Sequence, residues 1–146
     1  MILDNSTTGM TGHQDHAGTG KTLKGDIVNA IDVVKLCQAI GVPNVQVVNT
    51  FDVPALEKAI REETAKNELS VIVVKAPCAL LNKKKVTVQY VSNPDKCKKC
   101  GMCMKPGCPA ITKNADGTVT INDTMCNGCS LCAQLCKFGA IEKVEV

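Results

Sequence analysis

Eight cysteines in two blocks constrain this chain more than any other feature. They read Cys97-x2-Cys100-x2-Cys103-x4-Cys108-Pro109 and Cys126-x2-Cys129-x2-Cys132-x3-Cys136. The first three cysteines of the first block recur 29 residues later, and the fourth recurs after 28. Three cysteines at steps of three wrap one short loop, so their thiolates converge on three corners of a cubane. They cannot also reach the fourth corner, which a residue from elsewhere must fill. A segment with this spacing folds around what its thiolates hold. The preceding 96 residues contain only Cys37 and Cys78, so the 146-residue chain is not one homogeneous fold.

The spacing separates the possible uses of these thiols. Structural zinc takes four-ligand sets in which C-x2-C pairs are separated by longer gaps. Two triplets with two remote cysteines match that poorly. Disulfides belong to oxidising compartments, and Met1-Ile2-Leu3-Asp4 lacks the basic and apolar regions of a signal peptide. A cytoplasmic location is the expectation, where clustered cysteines are more often metal ligands. The longest apolar runs, such as Val71–Val74, fall far short of the roughly 18 residues a membrane span needs. A net charge of +3, with lysines scattered among the cysteines, does not suggest a nucleic-acid surface. Two [4Fe–4S] clusters are the reading that fits.

The segment Asp95–Val146 resembles bacterial-type two-cluster ferredoxins. In those proteins the fourth cysteine of each block serves the other cluster. The resemblance implies that Cys97, Cys100, Cys103 and Cys136 hold one cluster, and that Cys126, Cys129, Cys132 and Cys108 hold the other. Two departures stand out: the extra residue before Cys108, and Lys137 where the ferredoxin pattern has proline. Asp116-Gly117, between Ile111 and the alternating Thr118–Ile121, is a hairpin signal joining the two halves. Lys96, Lys98, Lys99, Lys105 and Lys137 read as local compensation for anionic clusters. The expected domain is a small α+β ferredoxin-like one over residues 95–146.

The earlier part of the chain reads differently. Met1–Leu3 is the end of a buried strand, and Asp4–Lys24 is a polar loop. Apolar residues at 31, 33, 34, 36, 37 and 40 predict a helix over Ile31–Ile40, stopped by Gly41. Val45–Val48 is a short strand. Asp52-Val53-Pro54 opens a second helix with Leu56, Ile60 and Ala65 on its apolar side. Val71–Val74 is the unbroken apolar run of a parallel strand covered on both faces. The order strand, loop, helix, strand, helix, strand predicts part of an α/β doubly wound sheet over residues 1–81. Residues 82–94 are expected to be a linker, with Lys83-Lys84-Lys85, followed by a strand at Val86–Val91. Three strands make a thin core, and a sheet that opens at Met1 calls for neighbours. The expectation is a C-terminal piece of something larger, or a chain that docks on a partner.

The loop after the first strand carries chemistry of its own. Ligands in open α/β sheets bind at the carboxyl ends of parallel strands. Asn5 offers a side-chain oxygen there, and Thr7 a backbone carbonyl. Hard oxygens two residues apart suit Mg²⁺ held against a diphosphate. A polar loop of this composition is also common without any ligand.

Leu3-Asp4-Asn5-Ser6-Thr7-Thr8, Thr11-Gly12-His13-Gln14, Lys75-Ala76-Pro77-Cys78-Ala79-Leu80-Leu81 and the cysteine blocks together resemble one known polypeptide. It is the C-terminal end of the alpha subunit in the indolepyruvate ferredoxin oxidoreductase family, and the likeness covers essentially the whole chain. The resemblance implies that Asn5 and the carbonyl of Thr7 ligate Mg²⁺ beneath thiamine diphosphate, with Thr8 and His13 in the cofactor loop. An aspartate ligand from a Gly-Asp-Gly-like element upstream is not in this sequence, and Lys24-Gly25-Asp26 is no substitute. His13 is read either as a proton carrier toward substrate or as a loop histidine bonded to backbone. His16 flanks the same loop. Cys37 and Cys78 are read as packing residues.

The family implies oxidative decarboxylation of an aryl 2-oxo acid with coenzyme A. Electrons would pass through two [4Fe–4S] clusters to a soluble ferredoxin. It also implies a beta subunit and the missing N-terminal part of the alpha subunit as partners, with the isolated chain inactive in decarboxylation. The competing expectation is an independent ferredoxin-like electron carrier with a small α/β docking domain. A scaffold whose clusters are purely structural is a third.

Overall fold

The computed structural model describes residues 1–81 and 86–146. The Lys83–Lys85 linker lies outside them. The chain divides into two compact units, Met1–Lys83 and Lys84–Val146.

The first unit is a three-stranded parallel sheet with two helices. Strands β1 (Ile2–Asp4), β2 (Asn44–Asn49) and β3 (Ser70–Lys75) lie in the order β1-β3-β2. Leu3 stands beside Val74 on one side, and Val48 stands beside Val74 on the other. The central strand is the unbroken apolar one. Its Ile72, Val73 and Val74 are buried, as a strand covered on both faces requires.

Helix α1 runs over Val33–Ala39, two residues later at its start than the periodicity suggests. The reason is Asp32, whose Oδ1 accepts the Val34 and Lys35 amides at 2.9 and 3.2 Å and caps the helix there. Ile31 therefore falls outside α1. Helix α2 (Val53–Thr64) is capped by Asp52, which accepts the Ala55 amide at 3.0 Å, and Pro54 sits in its first turn.

The buried side of α2 differs from the expected Leu56, Ile60 and Ala65. Ala59 and Glu63 are the buried residues, and Ala55 and Leu56 flank a core of Val48, Ala59, Ile72 and Val74. Glu63 breaks the apolar pattern because it is satisfied inside. Lys66 Nζ donates to both of its oxygens at 2.8 Å, and the Gln46 amide donates to Oε1. The Lys66 ammonium holds the Glu63 carboxyl below its ordinary range. Four side chains are a small core, and Leu3, Met10, Leu23 and Ile27 are all more than three-quarters exposed.

The second unit has two antiparallel pairs. Strand β4 (Val88–Ser92) pairs with β7 (Ile141–Glu145), and β5 (Ile111–Lys113) pairs with β6 (Val119–Ile121). The turn between β5 and β6 carries Asp116-Gly117, and the Asn114 amide bonds the Thr118 carbonyl at 2.8 Å. A short helix, α3 (Leu131–Leu135), completes the unit. Its core is Cys103, Ile111, Val119, Cys132 and Ile141, with Tyr90, Cys108 and Cys136 packed against it. Among the described residues no helix is long and apolar enough to cross a membrane.

Candidate functional sites

Each unit presents one candidate site. In the first, β1 delivers the chain into a loop held by its own polar side chains. Asp4 Oδ1 accepts the Ser6 amide at 2.8 Å, and Asn5 Oδ1 accepts the Thr7 amide at 3.2 Å. Thr7 is buried, and its hydroxyl donates to the Gln14 carbonyl at 3.3 Å. Thr8 and Gln14 exchange both backbone hydrogen bonds, closing a small hairpin. After β3 the chain returns along the same loop, where the Cys78 amide donates to the Asn5 carbonyl at 2.9 Å.

Asn5, Thr7 and Thr8 line one open cleft, with Asp32, Lys75 and His16 also on its walls. Asn5 Oδ1 keeps a lone pair beyond its bond to Thr7. Among the described residues no hydrogen bond reaches the Thr7 carbonyl. Asn5 Oδ1 and the Thr7 carbonyl are the hard oxygens this loop has for a cation of the Mg²⁺ kind. Asp4 lines the same cleft with its carboxylate paired to Lys75. Burial raises its carboxyl, but the Ser6 amide and Lys75, 3.2 Å away, more than reverse this and hold it below the ordinary range.

His13 stands apart from that cleft. It takes a left-handed φ of 62°, and its Nε2 lies 3.9 Å from Cys78 Sγ. His13, read either as a proton carrier or as a loop histidine, and Cys78, read as a packing residue, form one pair. Sequence order hides this, because 65 residues separate them. His16 in the cleft wall has its Nδ1 accepting the Gly18 amide at 3.1 Å. Cys37 is buried on α1. Lys75 carries no signal in the sequence beyond ending an apolar strand. Its place follows from the parallel register that sets it beside Asp4.

In the second unit the eight cysteines fall into two gatherings, and all are free thiols. Burial raises the Cys103 thiol above its ordinary value, and the charges of Cys136, Cys100 and Cys97 add to this. Burial likewise pushes Cys132 up to about 11, with Cys129, Cys108 and Cys126 as its charged neighbours. Each gathering thus takes three cysteines from one block and the last cysteine of the other. Helix α3 carries the chain across, with Cys132 in one gathering and Cys136, just past its end, in the other.

The first gathering lines a small pocket together with Lys98, Lys99 and Phe138. Among the described residues no three His, Cys, Asp or Glu side chains converge on a point that one metal ion could fill. Thiols spread around a cavity fit a cubane, where each sulfur takes its own corner. The Ala140 amide donates to Cys136 Sγ at 3.3 Å, the kind of outer-shell bond that tunes such a centre.

Both cysteine loops use the same backbone. Lys99 and Gly128, each just before the second cysteine, have φ of 58° and 73°. Gly101 and Ser130, each just after it, have 70° and 68°. Gly128 has no alternative, since a Cβ there would sit 2.3 Å from the Val88 carbonyl oxygen.

Comparison with known proteins covers both units. The family described as thiamine pyrophosphate enzyme, C-terminal TPP binding domain, matches residues 1–74. The family described as 4Fe-4S binding domain matches residues 119–142. Indolepyruvate oxidoreductase subunit IorA of Archaeoglobus fulgidus is 34% identical over 151 residues, covering 99% of this chain and 24% of the relative. The subunit of the same name from Pyrococcus horikoshii is also 34% identical, with the same coverage. That from Methanothermobacter marburgensis is 35% identical over 97% of this chain and 23% of the relative. The chain spans about a quarter of the length of these curated relatives.

Proposed function

From a chain that belongs to the thiamine pyrophosphate enzyme family through its C-terminal TPP-binding domain, and that is similar over nearly its whole length to IorA subunits, we propose the following role. The chain supplies part of a thiamine-diphosphate site and an electron relay of two [4Fe–4S] clusters to an oxidoreductase acting on indolepyruvate-type aryl 2-oxo acids with coenzyme A. The observation that carries this reading is the presence, in one chain, of an oxygen-donor loop inside the matched TPP region and, later in the sequence, two four-thiol gatherings.

When bound, thiamine diphosphate supplies the carbanion chemistry of decarboxylation. The residues of this chain bind and orient. Asn5 Oδ1 and the Thr7 carbonyl hold Mg²⁺, while Thr8 lines the cleft. The doubly wound sheet is completed by further strands beside β1 or β2. Leu3, Met10, Leu23 and Ile27, each largely exposed, are covered in the assembled enzyme by the remainder of the alpha subunit or by a beta subunit. With only two uncharged oxygen ligands assigned in the loop, the chain alone binds the cofactor weakly and does not turn over substrate. The cofactor part spans residues 1–81 and the clusters lie in residues 95–146, while the intervening residues 82–94 contribute β4 to the cluster unit, with a soluble ferredoxin as acceptor in the cytoplasm.

The test has two arms. Anaerobically reconstituted chain is titrated potentiometrically while its EPR signal is recorded, and magnesium-dependent binding of thiamine diphosphate is measured by calorimetry on the parent and on Asn5→Ala. Reversible reduction, with binding that Asn5→Ala abolishes, supports the reading. Clusters that cannot be reversibly reduced would make them structural. The second unit has a hydrophobic core of its own, which favours an independent electron carrier if thiamine diphosphate does not bind while reduction is reversible.

A further inference from the structure

We propose that the loop from Cys97 to Cys103 is the docking face for a small acidic one-electron carrier protein, and that electrons leave the chain through the first four-cysteine gathering. This rests on the relay reading above and adds which end of the relay faces outward.

Three observations separate the two gatherings. The first is exposure: of the eight cysteines Cys100 alone is exposed, and the other seven are half-buried or buried. Electron transfer falls steeply with distance, so a centre whose ligand reaches solvent is the one an external partner approaches most closely.

The second is charge. The first loop carries Lys98 and Lys99 between its cysteines, and both line the cavity of that gathering. The second loop, from Cys126 to Cys132, carries no charged residue. Lys96 is neutralised by Glu142 at 2.8 Å. Among the described residues Lys98 has no ion-pair partner. Phe138, half exposed, lines the same cavity and adds an apolar contact beside the cations. A lysine without a carboxylate partner, beside an exposed ligand and an aromatic ring, is complementary to an acidic redox protein.

The third is backbone strain. Each loop holds one non-glycine residue in the left-handed region, Lys99 in the first and Ser130 in the second, and of the two only Lys99 is charged. L-residues other than Gly, Asn and Asp rarely sit there. The stem of Lys99 lies over Gly117, whose missing Cβ would be 3.4 Å from Lys99 Cδ, and its Nζ is 3.8 Å from Asp116. Glycine would suit the backbone better, yet the loop holds a fixed lysine at its outer surface. Strain of this kind gathers at functional positions.

The step moves one electron. The reduced first gathering gives it to the oxidised one-electron centre of the carrier, and no bond or proton is transferred.

The experiment uses the full chain with its clusters reconstituted and reduced, mixed in a stopped-flow instrument with oxidised plant-type [2Fe–2S] ferredoxin as the acidic probe. Menadione, an uncharged acceptor, reports the driving force. Lys98→Glu should lower the rate to ferredoxin about tenfold at low salt. The difference should vanish near 1 M salt, where the screening length is about 3 Å. Lys143→Glu, the same charge change on β7, should leave the rate unchanged, as should Lys98→Glu with menadione. An unchanged rate for Lys98→Glu, or an equal loss for Lys143→Glu, would overturn the docking face while leaving the relay intact. Failure to reduce either acceptor would overturn the relay and the docking face together.

Discussion

Gly128 shows how a single residue fixes a site. Two features act on it at once: a left-handed φ of 73° and the Val88 carbonyl 2.3 Å from any added Cβ. At Gly101 the φ is 70° but nothing lies within 4 Å. Gly101→Ala should therefore cost about 1–2 kcal/mol in chemical denaturation and retain both clusters. Gly128→Ala should cost more and lose iron from the second gathering, because β4 and the loop cannot both keep their places. Glu63 makes a pH prediction. Its folded carboxyl is held down by Lys66, so its contribution is present above the ordinary glutamate value and is lost as pH falls through the lower folded value. Denaturation midpoints of the parent and Glu63→Gln should differ most near pH 7 and converge as the pH drops below 4. The apolar periodicity of α2 did not reveal this residue, because a charged side chain reads as solvated until its buried partners are known.

At the scale of elements, caps decide more than periodicity. The register of apolar residues located both long helices. Asp32 then moved the start of α1 and Asp52 set that of α2. Asp52→Ala should destabilise the chain by about 1 kcal/mol, read by thermal or urea unfolding. The parallel strands and the Asp116-Gly117 hairpin were legible, since an unbroken apolar run and a turn dipeptide are local signals. Three things were not. The His13–Cys78 pair, the Lys75–Asp4 pair and the β4–β7 pairing all join residues far apart in sequence. α3 ties the two cysteine gatherings together, with Cys132 and Cys136 assigned to different ones. The repeat alone shows that each loop lacks a fourth corner. The crossing needs the short helix that carries the chain over.

At the scale of the whole molecule, the two units have different sources of stability. The first has a small aliphatic core and much apolar surface in the open. The second has cysteines in its core, so metal binding and folding are coupled there. Oxidative destruction of the clusters should release hydrogen-exchange protection in β4–β7 and β5–β6 while β1–β3 of the first unit keep theirs.

The claim that one chain holds two separate clusters, each built from both blocks, is tested most directly by EPR of the reduced, reconstituted chain beside Cys136→Ala and Cys108→Ala, with iron counted. The parent should contain about eight irons as two four-iron clusters and give a signal broadened by coupling between them. Each variant should lose one four-iron centre and give the simple signal of the other. A parent with about four irons and one uncoupled signal would contradict it.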